Sequence, residues 1–131
     1  GLLPANGGLV PGKVFVVDTT TSTLVDSIAV GVGAQGIAIT GGFAYVANRV
    51  NWTVSIINLT TKAATTVDVG NRPIGVAVSA DGNNVYVTNP SDDLFNPGTV
   101  SVISTATKAV VATVATGIGN QPRMMASWAQ P

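Results

Sequence analysis

A period of about 40 residues runs through the chain and restricts the folds open to it more than any other feature. "VFVVD" (Val14 to Asp18), "VSIIN" (Val54 to Asn58) and "VSVIS" (Val100 to Ser104) are copies of one segment. "VGVGAQGIAIT" (Val30 to Thr40) and "VGNRPIGVAVS" (Val69 to Ser79) are copies of another, and "GNQPRMMASW" (Gly119 to Trp128) is a worn third, aligned through Pro73 and Pro122. Between these lie "AYVAN" (Ala44 to Asn48) and "VYVTN" (Val85 to Asn89), with "LLPAN" (Leu2 to Asn6) as a looser match. A unit recurring at this spacing is one supersecondary element. It cannot bury its apolar surface alone, so neighbouring units must stack.

Each unit divides into four strand candidates. In the clearest copy they are "IGVAVS" (Ile74 to Ser79), "NVYVTN" (Asn84 to Asn89), "TVSVIS" (Thr99 to Ser104) and "VVATVA" (Val110 to Ala115). The turn "ADGN" separates the first two. Asp81 and Gly82 are expected to supply its positive φ, as Gly41 and Gly42 do one unit earlier. Tyr45 or Tyr86 of the second strand is expected to pack on the adjacent unit. The closing Asn48 or Asn89 is expected to take a left-handed conformation and bond its own turn. Val, Ile and Thr abound, Glu is absent, and no stretch has apolar residues at helical spacing.

The chain is therefore expected to be all-β and of β-propeller type, with three four-stranded antiparallel blades. One blade is split between the termini: a blade part at 1–30, blades at 31–69 and 70–118, and an orphan inner strand at 119–131. Most of the extra length of the last unit lies between Asn89 and Val100, where "PSDDLFNPG" replaces "RVNW".

The string "GNRPIGVAVSADGNNVYVTNPSDDLFNPGTVSVISTATKAVVATVATG" resembles the YVTN family of β-propeller repeats, in which "GVAVS-DG" is followed by "YVTN", "TVSVID" and "KVVATI-VG". The likeness covers nearly the whole chain and weakens at "GLLPAN" and at Met124, Met125 and Trp128. It implies blades whose first strand lines a central channel and whose fourth lies outside. The family occurs in archaeal and bacterial surface proteins and as part of larger enzymes and cytochrome-linked proteins.

Composition narrows the chemistry. The 131 residues suit one domain, with no Cys for disulfides or thiolate metal sites and no His for triads or the commonest metal ligand. Six cations balance six acids, and charged residues are 9% of the chain against about 25% in a typical domain. No basic footprint for nucleic acid results. No apolar run approaches the about 20 residues of a membrane helix. The chain begins at Gly1, not Met, which fits a processed, exported product.

Few side chains remain as site candidates. Asp92 and Asp93, in "NPSDDLFNPG", are the one local acidic cluster and the candidates to hold Ca²⁺ with Asn96 and loop carbonyls; the alternative is a solvated loop. Asp18, Asp26, Asp68 and Asp81 sit where strand ends and turns are expected, for local hydrogen bonding. Arg72, before Pro73, is expected in the loop entering an inner strand, towards one mouth of the channel, with Arg123 displaced in the third unit. Lys13, Lys62 and Lys108 are expected on turns. "GVGAQG" (Gly31 to Gly36) has the look of a dinucleotide loop but reads as a connector, because no helix is expected after it. Asn51 and Asn58 stand in Asn-X-Thr sequons in expected turns and are glycosylation candidates.

No catalytic residue, metal or cofactor is therefore expected. The favoured function is a non-enzymatic structural or adhesive protein, extracellular or on the cell surface, with other surface proteins or glycans as further partners. The orphan strand carrying Met124, Met125 and Trp128 would complete the split blade of another copy, head to tail, building a homo-oligomeric ring or a filament. The alternatives are a propeller fragment of a larger redox enzyme or cytochrome-linked protein, and a small-ligand or sugar-binding module.

Overall fold

The computed structural model describes residues 9–91 and 97–116. They form ten strands, and no helix occurs among the described residues. In chain order the strands are β1 (Pro11–Asp18), β2 (Thr23–Val32), β3 (Ala34–Thr40), β4 (Phe43–Asn48), β5 (Thr53–Asn58), β6 (Ala64–Asp68), β7 (Val76–Val78), β8 (Asn84–Asn89), β9 (Thr99–Ser104) and β10 (Val110–Ala115). Every pairing is antiparallel. The strands form a two-stranded sheet β1-β2 and two four-stranded meanders, β3-β4-β5-β6 and β7-β8-β9-β10. The expected strands at "LLPAN" and at Met124 to Trp128 lie outside the described residues.

Stacking of the three sheets explains the side-chain pattern. Val14 and Val16 of β1, with Ile28 and Val30 of β2, pack on Ala44, Val46 and Ile57 of the middle sheet. The opposite face of that sheet presents Tyr45, Val54 and Ile56 to Val85, Val87 and Ile103 of the third. The middle sheet is thus covered on both faces, so β4 and β5 read as nearly unbroken apolar runs, without polar and apolar residues alternating. Full burial of Ile57 alone contributes about 2 kcal/mol.

The turns follow from local chemistry. Gly41 and Gly42 both have positive φ, 57° and 80°, as a two-residue β3–β4 hairpin requires. In the corresponding β7–β8 turn only Gly82 does, at 75°, and Asp81 does not share this conformation as expected. Asp81 acts through its side chain, accepting from the Ser79 hydroxyl at 2.6 Å and from the Asn83 N–H at 2.9 Å. Strand β7 is also shorter than expected, with regular pairing limited to Val76–Val78. Pro73 has no N–H to extend the ladder, although the Ile74 N–H still reaches the Thr88 carbonyl at 2.9 Å.

A common device closes the third strand of each unit. The Asp18 carboxylate accepts from the Thr20 N–H at 2.8 Å, the Asn58 amide oxygen from the Thr60 N–H at 2.9 Å, and the Ser104 hydroxyl from the Thr107 N–H at 3.3 Å. Each turn then passes through one residue at positive φ, namely Ser22, Lys62 or Lys108. Lys62 and Lys108 thus sit on turns as expected, whereas Lys13 lies within β1. Asp26 likewise falls inside β2, beside a register shift, and not in a turn.

Candidate functional site

The Asn that ends each second strand is the most deeply held polar group of the fold. Asn48 is fully buried. Its amide Nδ2 donates to the Thr53 hydroxyl at 3.1 Å and the Ser55 hydroxyl at 2.9 Å, and its Oδ1 accepts from the Gly31 N–H of the preceding sheet at 3.1 Å. Asn89 repeats the donor half, to Thr99 at 3.1 Å and Ser101 at 2.9 Å. The left-handed conformation expected of these two residues is not observed; in the first copy Trp52 takes it, with φ of 60°. The Asn bonds into the sheet stack because the "T-V-S" that opens the next strand points two hydroxyls at it. Local turn geometry competes poorly with that.

Close approach at this clamp demands glycine. A Cβ on Gly31 would lie 2.6 Å from Asn48 Cγ, and one on Gly70 would lie 2.6 Å from the Thr99 hydroxyl oxygen. The second clamp is nevertheless incomplete: Asn89 Oδ1 is buried and has no hydrogen-bond partner. It borders a recess of about 460 Å³ between the second and third sheets, lined also by Asp68, Gly70, Thr99 and Ser101.

A second recess, of about 250 Å³, lies at the same end of the stack. It is lined by Arg49, Val50 and Trp52 from the β4–β5 turn and by Arg72 from the β6–β7 connector. Hydrogen bonds fasten that turn on both sides. The Arg49 N–H donates to the Gly33 carbonyl at 2.9 Å, the Val32 N–H to Asn51 Oδ1 at 2.6 Å, and the Val69 N–H to the Trp52 carbonyl at 3.0 Å. Arg72 is thus on a connector at one end of the sheets, and it meets Arg49 and Trp52, which "RVNW" did not single out. The available signal was a cation and an aromatic in a turn directly following the Asn.

The remaining candidates are dispersed. Asn51 is exposed in the turn after β4, and Asn58 is half-buried at the end of β5 with Oδ1 engaged and Nδ2 not drawn into a bond. Asp92, Asp93 and Asn96, along with Arg123, Met124, Met125 and Trp128, lie outside the described residues. Among the described residues no three His, Cys, Asp or Glu side chains come together. "GVGAQG" runs from β2 through Gly33 into β3, a strand-to-strand connector. The Ser79 hydroxyl and the Asn83 N–H hold the exposed Asp81 carboxyl below the usual carboxylate range. Burial pushes the Tyr45 phenol up, and its hydroxyl has no partner. None of these arrangements pairs an acid with a base.

No family model matches the chain, and no curated protein matches it. Solved structures do. Hydrazine synthase of Kuenenia stuttgartiensis superposes with a TM-score of 0.78 at 30% identity, over 90% of this chain and 32% of that one. A functionally unknown protein from Desulfotomaculum acetoxidans gives 0.69 at 18% identity, over 86% of this chain and 37% of its own. Apo AztD from Citrobacter koseri gives 0.67 at 19%, over 88% and 32%. The last two likenesses are of fold alone. These neighbours are β-propeller-like, and the chain spans about a third of the length of each.

Proposed function

We propose that the chain is a run of blades from a β-propeller of the YVTN repeat type, acting as non-catalytic scaffold within a longer polypeptide. The observation that carries this reading is the match of 90% of the chain, at 30% identity, to 32% of a hydrazine synthase chain. Two features support it. The inner strands β3 and β7 pack side by side, as in a fan of blades about an axis. The outer face of the first sheet is also apolar and open: Phe15 is 61% exposed, Val17 54% and Leu24 61%. Ser55 and Ile57, at the positions matching Phe15 and Val17, are buried under a neighbouring sheet. On this reading a preceding blade of the same polypeptide covers Phe15, Val17 and Leu24.

The second reading keeps the 131-residue chain as the whole unit. Copies of it then associate head to tail in an extracellular structural assembly, and the same open face favours that contact. The intact mass and native size of the natural polypeptide test the two. A polypeptide about three times as long supports the first. A 13.1 kDa polypeptide in closed rings or filaments overturns it in favour of the second. A haem or quinone absorbance retained stoichiometrically by these residues alone overturns the non-catalytic role in either case.

A further inference from the structure

The two arginines among the described residues, Arg49 and Arg72, line one recess although 22 residues separate them in the chain. A chain with only six cations in 131 residues has little charge to concentrate, so the convergence is informative. The bond from the Val69 N–H to the Trp52 carbonyl creates it, by tying the β6–β7 connector to the β4–β5 turn. No acidic side chain lines the recess.

Three observations say what the recess can hold. Arg49 Nε is buried and has no hydrogen-bond partner. Leaving such a charged donor unpaired is costly, and an oxyanion would satisfy it. Trp52 is 48% exposed, an unusual amount for a large aromatic, and offers an apolar slab beside the guanidinium. Trp52 and Arg72 both sit at positive φ, 60° and 57°, a region bulky residues avoid and which the surrounding hydrogen bonds must enforce. The turn is therefore held in place before any ligand arrives, which lowers the cost of binding.

The geometry points to this recess as a binding site for a small organic carboxylate. Its planar carboxylate accepts hydrogen bonds from Arg49 in the charge of both guanidinium groups, and its flat or ring-shaped body lies on Trp52. At about 250 Å³ the space suits a molecule smaller than the drug-sized ligands of ordinary pockets. The inference does not depend on how many blades complete the protein, so it stands or falls apart from the scaffold reading.

Benzoate is the probe, with benzyl alcohol as its uncharged match. The intact protein is titrated with each, followed by calorimetry and by the NMR resonances of the arginine Nε–H groups. Benzoate is expected to bind saturably in the millimolar range and to move the Arg49 Nε–H resonance along the same curve. Arg49→Gln and Trp52→Ala should each weaken benzoate binding about tenfold. Arg49→Lys keeps the charge and the stem but loses the planar fork; with an unchanged circular dichroism spectrum it should also weaken binding, which separates recognition from misfolding. No saturable benzoate binding, equal binding of benzyl alcohol, or an unmoved Arg49 resonance would overturn the proposal.

Discussion

Asn48 and Asn89 occupy the same place in successive units but do not bond alike. Replacing Asn48 with Ala strands the Gly31 N–H and two buried hydroxyls, and is expected to cost about 3 kcal/mol in urea unfolding. Asn89→Ala should cost less, because its Oδ1 has no partner to lose. Equal losses would refute the difference between the two clamps. Tyr45→Phe removes a buried hydroxyl without a partner and should leave thermal stability unchanged or slightly raised. For Asp81 the folded carboxyl titrates below its unfolded value, so its contribution is present above the unfolded range and is lost as pH falls through the lower folded one. A carboxyl-carbon NMR titration should find Asp81 still ionised when ordinary aspartates have protonated.

At the scale of the element, the turns after β5 and β9 repeat one geometry with opposite sensitivities. Lys62 and Lys108 both close their turns at positive φ, 65° and 60°, where glycine carries no steric penalty. Lys62→Gly is therefore expected to stabilise the chain, by up to about 1 kcal/mol. Lys108 differs, since its ammonium lies 4.1 Å from the centre of the Phe43 ring and also donates to the Thr105 carbonyl. Lys108→Gly should yield no gain, because the cation–π contact is lost with the side chain. Paired melting curves check both, and an equal gain at the two sites would show that the Phe43 contact contributes nothing.

The whole molecule is a stack with an open end. Phe15, Val17 and Leu24 form one apolar face that the described residues leave uncovered. The isolated 131-residue chain should therefore associate in a concentration-dependent way, and polar replacement at Phe15 and Leu24 should reduce this, as read by sedimentation velocity. A chain that stays monomeric at high micromolar concentration without those changes would count against the face being an interface of any kind.

Strand identity and stacking were legible from the repeats because they depend on short-range signals: β-branched runs, Gly-Gly and Asp-Gly turns, and a spacing of about 40 residues. The correspondence of Val14, Val54 and Val100 placed third strands correctly, and the aromatic of the second strand was correctly assigned to an inter-sheet core. The role of the closing Asn was not legible. A local preference of Asn for left-handed turns is worth little against several buried hydrogen bonds, and the partners of Asn48 come from Thr53, Ser55 and Gly31, which only the sheet stacking assembles. Arg49, Trp52 and Arg72 likewise belong to two separate turns and carry no shared pattern along the chain. A repeat determines what its units have in common, whereas a site made where two different connectors meet is decided by tertiary contact.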